Sequence, residues 1–277
     1  MEISARIILA LGLASLFVSS TTVAAAADAV FGYGNGPNGP QHWGSLNPQW
    51  RLCNGGGRQS PINIAKENIT DRPKPETLAR DYADAKATLV NNGYNIMVRY
   101  DEGVGTAFIE EKNYSLQQVH WHMPSEHTLN GERYDAELHM VHKKDNFYAV
   151  VAILYKIGHP DTFLNQLMDG LEKLAKEKCS DNQEASVPVG VIDNKSLRRS
   201  TKKYYRYEGS LTAPPCNEGV IWSILGKVRE MSPAQAAALR APLAEAYRNN
   251  SRPIQPSNGR SVWMVDEGKN KEDGPDA

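Results

Sequence analysis

The chain has 277 residues, and its 31 Lys and Arg residues nearly balance its 32 Asp and Glu residues, which leaves a formal net charge of −1. This balance provides no basic excess and argues against a nucleic-acid-binding protein. A mean hydropathy of −0.51 excludes a protein with several membrane spans, and the length is sufficient for one substantial core.

The first 27 residues have the pattern of a secretory signal peptide. Arg6 precedes a largely apolar stretch at 7–18, which Ser and Thr residues and then four alanines follow. A membrane anchor is the alternative, but a spanning helix needs about 20 apolar residues and this stretch is shorter. We expect cleavage near Ala27, a single domain over 28–265 without a membrane anchor, and a charged, disordered tail over 266–277. The mature protein should then be extracellular or in the lumen of an organelle.

The predicted elements follow in chain order. Runs rich in β-branched and aromatic residues predict strands at 95–100, 115–123, 134–143, 147–157, 203–207 and 220–228. Apolar residues at helical spacing predict a helix over 161–178. Ser232 and Pro233 predict the N-cap and first turn of a second helix that ends near residue 248. The predicted fold class is mostly β with peripheral helices.

Histidines cluster in the middle of these strands, with five of the seven lying within 23 residues, where an even spread would place fewer than one. Residues two apart in a strand share a face, so His120 and His122 point the same way. His139 can face them from the next strand if the Asn-Gly pair at 130–131 turns the chain back. Three neutral imidazoles with one open position are typical of a catalytic zinc site, and we predict these three as its ligands.

Two further polar residues lie on the faces of the predicted ligands. Gln118 and Glu137 each precede a ligand by two residues and could fix imidazole tautomers, although a plain cross-strand polar pair is an equal alternative. The two histidines of the first strand followed by Glu126 also match the short cupin pattern, in which Glu126 would be a fourth ligand of a manganese enzyme. Pro124 argues against a cupin because it interrupts the strand before Glu126.

The cysteines and sequons fit an oxidising compartment. Cys53, Cys179 and Cys216 allow one disulfide and one remaining thiol, and the residues alone leave the pairing open. Acceptor sequons for N-glycosylation occur at Asn68, Asn113, Asn194 and Asn249.

Seven short motifs follow one another between Phe31 and about Val265. They are GPQHWG at 39–44, QSPINI at 59–64, NNGYNIMV at 91–98, HWH at 120–122, SEHT at 125–128, ELHMVH at 137–142 and GSLTAPPC at 209–216. In this order they resemble the α-type carbonic anhydrases, and the loops are most similar to the plant secretory branch, which is related to nectarins and dioscorins. The resemblance implies a single domain around a large twisted, mainly antiparallel sheet of about ten strands, with Zn²⁺ at the base of a cavity.

The resemblance also implies an activity, the interconversion of CO2 and bicarbonate by attack of zinc-bound hydroxide. The three predicted ligands match the family's zinc ligands, and Gln118 and Glu137 match two of their hydrogen-bond partners. Thr212 matches a hydroxyl that accepts a hydrogen bond from the hydroxide and donates one to Glu126. Tyr94 stands where the fastest members carry a proton-shuttling histidine, which predicts turnover limited by proton transfer.

Further matches imply an apolar wall that holds CO2, formed by Val141, Val150, Leu211, Val220 and Trp222. Without the resemblance, these five would be taken as core residues. Secretory members of the family imply a Cys53–Cys216 disulfide, which leaves Cys179 unpaired. Some members of the fold have lost a zinc ligand, and the yam dioscorins are storage proteins. A storage or binding protein with little turnover is therefore the second interpretation.

Overall fold

Strands carry most of the fold in the computed structural model, which describes residues 30–71, 78–101, 103–177, 184–198 and 203–266. The predicted signal peptide, Cys179 and residues 267–277 of the predicted tail lie outside these residues. The strands are β1 (Asn63–Ile64), β2 (Ile69–Asp71), β3 (Ala79–Tyr82), β4 (Ala85–Asn91), β5 (Ile96–Tyr100), β6 (Gly105–Ile109), β7 (Lys112–His122), β8 (Thr128–Leu129), β9 (Glu132–Arg133), β10 (Ala136–Lys144), β11 (Phe147–Ile157), β12 (Ala185–Ile192), β13 (Lys203–Ser210), β14 (Glu218–Leu225), β15 (Arg229–Met231) and β16 (Val262–Asp266).

The helices are short and lie at the periphery. They are α1 (Trp43–Leu46), α2 (Leu52–Gly55), α3 (Thr162–Asn165), α4 (Met168–Leu174) and α5 (Pro233–Arg240), with single 3₁₀ turns at Pro48–Trp50, Lys66–Asn68, Lys195–Arg198 and Glu245–Tyr247. No helix in the described ranges is long and apolar enough to cross a bilayer.

Ten strands form the main path of one large sheet, in the order β12-β4-β5-β7-β10-β11-β14-β13-β16-β2. Strands β3, β6 and β15 pair beside this path, and β1, β8 and β9 form a small second sheet. Most pairs are antiparallel, whereas β11 pairs with β14 and β15 in parallel, as does β16 with β2. The mainly antiparallel sheet of about ten strands implied by the resemblance is confirmed.

The six strands predicted from residue patterns are confirmed as β5, β7, β10, β11, β13 and β14, with ends displaced by three residues or fewer. Asn130 and Gly131 do turn the chain, both at positive φ. They join the two-residue strands β8 and β9, so a small hairpin is inserted between β7 and β10. The first residue of the predicted tail, Asp266, belongs to β16, where it pairs in register with Lys203.

Both predicted helices were too long. The segment over 161–178 forms α3 and α4, and at the break the Gln166 side chain exchanges two hydrogen bonds with the Asp193 main chain. The later helix begins at the predicted cap, Ser232, but α5 ends at Arg240. Pro242 explains this end, because proline has no N–H to donate to the carbonyl four residues earlier, although Ala241 before it still has helical backbone angles.

Packing divides the sheet into two faces. The larger core cluster lies between one face and helices α3 to α5, where Trp121 stacks on Phe163. The smaller cluster surrounds Trp222 on the other face. Strand β7 contains a β-bulge, because its register with β10 slips by one residue where Gln117 falls between two successive pairs of the ladder.

Candidate metal centre and cavity

Strands β7 and β10 bring the three predicted ligands together. His139 pairs directly with His120 in the antiparallel ladder, and His122 follows on the same face of β7. The Nε2 atoms of His120 and His122 are 3.1 Å apart, and His139 Nδ1 is 3.3 Å from His120 Nε2. Three ring nitrogens therefore converge on one point.

The other ring nitrogen of each histidine has a fixed acceptor. His120 Nδ1 lies 2.9 Å from Gln118 Oε1, His139 Nε2 lies 2.8 Å from Glu137 Oε1, and His122 Nδ1 lies 2.7 Å from a main-chain oxygen, that of Asn250. Because these acceptors require an N–H on the outer nitrogen of a neutral ring, the inner nitrogens carry lone pairs. Lone pairs this close repel one another unless a cation lies between them, so the donor set fits a metal ion.

Burial keeps these imidazoles neutral. Burial and the neighbouring histidines lower the pKa of His120 well below its usual range, and burial lowers the pKa of His122 to about 4. The pKa of His139 is also lowered by burial. A neutral imidazole is the form that binds a metal, so the site needs no deprotonation near neutral pH.

Glu137 is held by four hydrogen bonds. Its Oε1 accepts from His139 and from His127 Nδ1 at 2.7 Å, and its Oε2 accepts from the backbone N–H groups of Glu126 and His127 at 2.8 and 2.7 Å. Burial acts to raise its pKa, but His127 and His139 hold the pKa of Glu137 well below its usual range. The buried carboxylate therefore remains ionised and fixes the orientation of the His139 ring.

Glu126 does not join the three ligands. Its Oε1 accepts the backbone N–H of Arg252 at 2.8 Å and lies 3.5 Å from the outer nitrogen of His122. Among the described residues, the group of His120, His122 and His139 forms without it. The cupin arrangement is therefore not formed, and the strand does end at His122, before Pro124.

The second carboxylate oxygen of Glu126, Oε2, is buried and accepts no hydrogen bond in this structure. Burial raises the pKa of Glu126 to about 7, against the lowering effects of His139, the nearby Thr212 hydroxyl and the Arg252 backbone N–H. Thr212 itself lines the cavity together with the three histidines. A buried carboxyl oxygen without a partner therefore lies near the cavity hydroxyl that the resemblance pairs with it.

The histidines form the base of a cavity of about 250 Å³ with both apolar and polar lining. Its apolar lining includes Val141, Val150, Leu211 and Trp222, and its polar lining includes Asn92, Tyr94, Asn95 and Gln118. Val220, expected in the same apolar lining, belongs to the same apolar cluster but is not among the residues that line this cavity. It precedes Trp222 by two residues in β14, roughly 7 Å along the strand.

Several residues of this site were missed in the sequence, among them Tyr148 and Asn250. Tyr148 lines the cavity two residues before Val150, on the same face of β11, so strand alternation could have identified it. Asn250 contributes a main-chain oxygen from a loop 128 residues away from His122. A backbone contact at that separation leaves no signal in the residue types.

A disulfide joins the N-terminal region to the loop that carries Thr212. The bridge links Cys53 in α2 to Cys216, as the resemblance implied, and it spans 163 residues of sequence. Cys216 lies four residues after Thr212 and holds positive φ. The position of the cavity rim therefore depends on a covalent link to a distant part of the chain.

The four sequons differ in exposure. Asn68, Asn113 and Asn249 are exposed, whereas Asn194 is buried with no measurable exposure. The Asn194 amide accepts a hydrogen bond from the Tyr100 hydroxyl at 2.7 Å and donates one to the carbonyl of Ala83 at 2.9 Å. The sequon at Asn194 is therefore not available for glycosylation in the folded chain, because its side chain is fully buried.

Comparisons with known proteins agree with this geometry. A family model described as eukaryotic-type carbonic anhydrase matches residues 38–266. Alpha carbonic anhydrase 4 of Arabidopsis thaliana is 42% identical over 229 residues, covering 82% of each chain. Dioscorin DB3L of Dioscorea polystachya is 40% identical over 264 residues, covering 94% of this chain and 95% of that protein. A crystal structure of dioscorin complexed with ascorbate matches with a TM-score of 0.82 and 38% identity, covering 86% of this chain and 98% of that chain.

Proposed function

The chain belongs to the eukaryotic-type carbonic anhydrase family, and from this premise we propose that it catalyses the zinc-dependent, reversible hydration of CO2 to bicarbonate and a proton. The observation that carries the proposal is the convergence of three imidazole nitrogens, 3.1 and 3.3 Å apart, at the base of a cavity with an apolar wall. His120, His122 and His139 would hold the ion. When bound, Zn²⁺ supplies a Lewis acid that makes a hydroxide nucleophile available near neutral pH.

The chain's own residues would then position the reactants. Thr212 lines the cavity and is close enough to Glu126 to lower its pKa, so its hydroxyl would donate to Glu126 Oε2, which otherwise has no partner, and keep a lone pair that accepts the nucleophile's proton. This arrangement fixes the direction of attack. CO2 has no net charge, and the apolar lining that includes Val141 and Trp222 offers it a site where water has few hydrogen-bond partners and is easily displaced.

We also propose that proton release limits turnover. The polar lining includes Tyr94, whose pKa is raised by burial and by Glu184 above its ordinary value near 10. A group that stays protonated at neutral pH accepts a proton poorly, whereas a histidine would match the pH of the reaction.

We propose that the protein enters the secretory pathway. The signal-like residues 1–27 and the Cys53–Cys216 bridge support it, since disulfides persist in oxidising compartments. CO2 and bicarbonate would be the small-molecule partners there.

A combined metal and activity measurement tests the proposed reaction. The purified full chain should bind one zinc ion per molecule and hydrate CO2 rapidly in a stopped-flow assay. His139→Ala should lose both properties, while His159→Ala, at an exposed position, should keep both. Thr212→Ala should keep zinc but lose about 10²-fold in kcat, because only the orientation of the nucleophile changes. Parental zinc affinity and rate in His139→Ala would contradict the ligand assignment.

The second candidate function is a storage or binding protein of the same fold with little turnover. The similarity to dioscorins, including a structural match with a TM-score of 0.82, favours this alternative. Zinc binding without rapid hydration, or no metal at all, would support it.

A further inference from the structure

The hairpin of β6 and β7 exposes a large aromatic side chain. Phe108 on β6 is 39% exposed, although burial of an aromatic side chain stabilises a fold. Its neighbours along the same row of the sheet are Ala79 on β3 and Asn113 on β7. Ala79 is too small to cover the ring, so any cover must come from the side of Asn113.

Asn113 begins a sequon, Asn113-Tyr114-Ser115. Asn113 and Ser115 are exposed on one face of β7, while Tyr114 between them is buried and anchors the strand. Directly opposed residues of an antiparallel pair have Cβ atoms about 4.5–5.5 Å apart. The Asn113 amide therefore projects beside the exposed ring of Phe108.

We propose that Asn113 carries an N-linked glycan and that its first sugar packs against Phe108. The attachment forms a bond from the Asn113 amide nitrogen to the anomeric carbon of the sugar. The bond from that carbon to a lipid pyrophosphate breaks, the amide gives up one proton, and the lipid pyrophosphate leaves. The donor is a lipid-linked oligosaccharide of the secretory pathway, and no oxidant or reductant is needed.

The disulfide independently supports a compartment in which this glycosylation takes place. The Cys53–Cys216 disulfide belongs to a chain that folds in an oxidising lumen, where oligosaccharide transfer also takes place. The inference rests on this route and not on the CO2 reaction, so either could fail without the other.

The contact follows from the chemistry of the two groups. The C–H face of a pyranose ring is apolar, and packing it on an aromatic ring removes apolar surface from water. Phe108 is 39% exposed, so its ring has surface that a sugar on Asn113 could cover. Phe108 would then be a buried residue of the glycosylated protein.

Site occupancy is the first test. The full chain, secreted from plant cells in culture, should yield a peptide in which Asn113 bears a hexosamine-based glycan in most molecules. The peptide containing Asn194 should be unmodified and serves as an internal negative control. Ser115→Ala should abolish the modification while retaining Asn113. An unmodified Asn113 in the secreted parent would overturn the proposal.

Thermal unfolding tests the contact with Phe108. In the glycosylated protein, Phe108→Ser should lower Tm by about 2–4 °C. In the Asn113→Gln background, the same substitution should have little effect, because the ring then has no sugar to cover it. Phe147→Ser is the matched control, since Phe147 is 61% exposed and has no adjoining sequon, and its effect should be the same in both backgrounds. Equal effects of Phe108→Ser with and without the glycan would refute the contact.

Discussion

The ring nitrogens that point away from the cavity decide what the metal centre can do. Each is tied to a different kind of acceptor: an amide oxygen of Gln118, a carboxylate oxygen of Glu137 and the main-chain oxygen of Asn250. These bonds select the tautomer and the ring orientation before any metal arrives. The site is therefore organised by partners that never contact the ion.

Tyr94 gives a prediction about proton transfer. Tyr94→His should raise kcat about tenfold or more at low buffer concentration, because histidine can accept a proton near neutral pH. The value of kcat/KM should change little, since it reports the attack on CO2. Stopped-flow hydration at several imidazole concentrations checks this.

Two controls belong to the Tyr94 experiment. Added imidazole should raise kcat of the parent, and Tyr94→Phe should behave like the parent because the tyrosine hydroxyl, which stays protonated at neutral pH, does not relay protons. A parental kcat that is high and independent of buffer would show that protons leave by a different route.

A second residue, His142, is expected to make the free energy of unfolding depend on pH. It is buried on the core face of β10, where its Nε2 lies 2.6 Å from the Tyr82 hydroxyl, and burial lowers the pKa of His142 to about 3. The unfolded chain binds the proton below about pH 6.5, so the contribution of His142 to stability is complete above that pH. It is lost as the pH falls toward 3, by about 1.4 kcal/mol per pH unit.

Urea unfolding of the parent and of His142→Gln at pH 7.5 and pH 5 measures this contribution. The free energy of unfolding should fall between the two pH values by about 2 kcal/mol less in the variant than in the parent. Both proteins should be compared with the same metal content, so that the titration of the metal centre cancels. An equal fall in both would contradict the assignment to His142.

At the scale of elements, α5 depends on a buried glutamine that serves two helices. Ser232 and Gln235 form reciprocal hydrogen bonds of 3.2 and 3.0 Å at the start of α5. The Gln235 side chain also bonds the N–H and C=O of Asp161 and the side chain of Asn165, which belong to the region of α3. The N-terminus of α5 is thus joined to the region of α3 through the Gln235 side chain.

This arrangement predicts unequal effects of two substitutions. Ser232→Ala should lower the free energy of unfolding by about 1 kcal/mol, as expected for the loss of an N-cap. Gln235→Ala should cost about 2 kcal/mol or more, because it leaves several buried partners unpaired. Ser232→Asn should be close to the parent because it can still cap the helix. Urea denaturation distinguishes these outcomes, and a smaller effect for Gln235→Ala would refute the shared role.

Sequence patterns identified the elements that carry the metal ligands but missed several of their neighbours. β7, β10 and β11 were predictable because alternating β-branched and aromatic residues mark them. β6 was not predicted, since the turn that joins it to β7 places Glu110 and Glu111 at positive φ. Tight hairpin turns favour Asn and Gly at such positions, so a Glu-Glu pair gives no turn signal.

At the scale of the whole molecule, the site is assembled from distant parts of the chain. Asn250 and Cys53 both contribute to it, and neither could be assigned to the site from residue spacing. The disulfide was inferred from family resemblance, because three cysteines alone allow three pairings. Local periodicity therefore predicts the three histidines, whereas the residues that complete the site around them are set by tertiary contacts.

The disulfide gives the prediction at this scale. Replacing both Cys53 and Cys216 by Ser should lower the free energy of unfolding by about 3–5 kcal/mol, because the bridge closes a very long loop of the unfolded chain. It should also slow CO2 hydration, since the Thr212 loop loses its attachment. Cys179→Ser is the control and should leave both properties unchanged. Unfolding at the parental urea midpoint in the double variant would show that the bridge adds no stability.

The bulge at Gln117 has a consequence for how this fold tolerates changes in length. Before the bulge, Tyr114 and Leu116 face the apolar core; after it, Val119 and Trp121 do, and the histidines take the opposite face. The strand thus contains a one-residue phase shift, without which the imidazoles would point into the core. Insertions or deletions in the hairpin of β6 and β7 would leave the orientation of the ligand-bearing half of β7 unchanged. A deletion of Gln117 itself would exchange the two faces of that half of the strand.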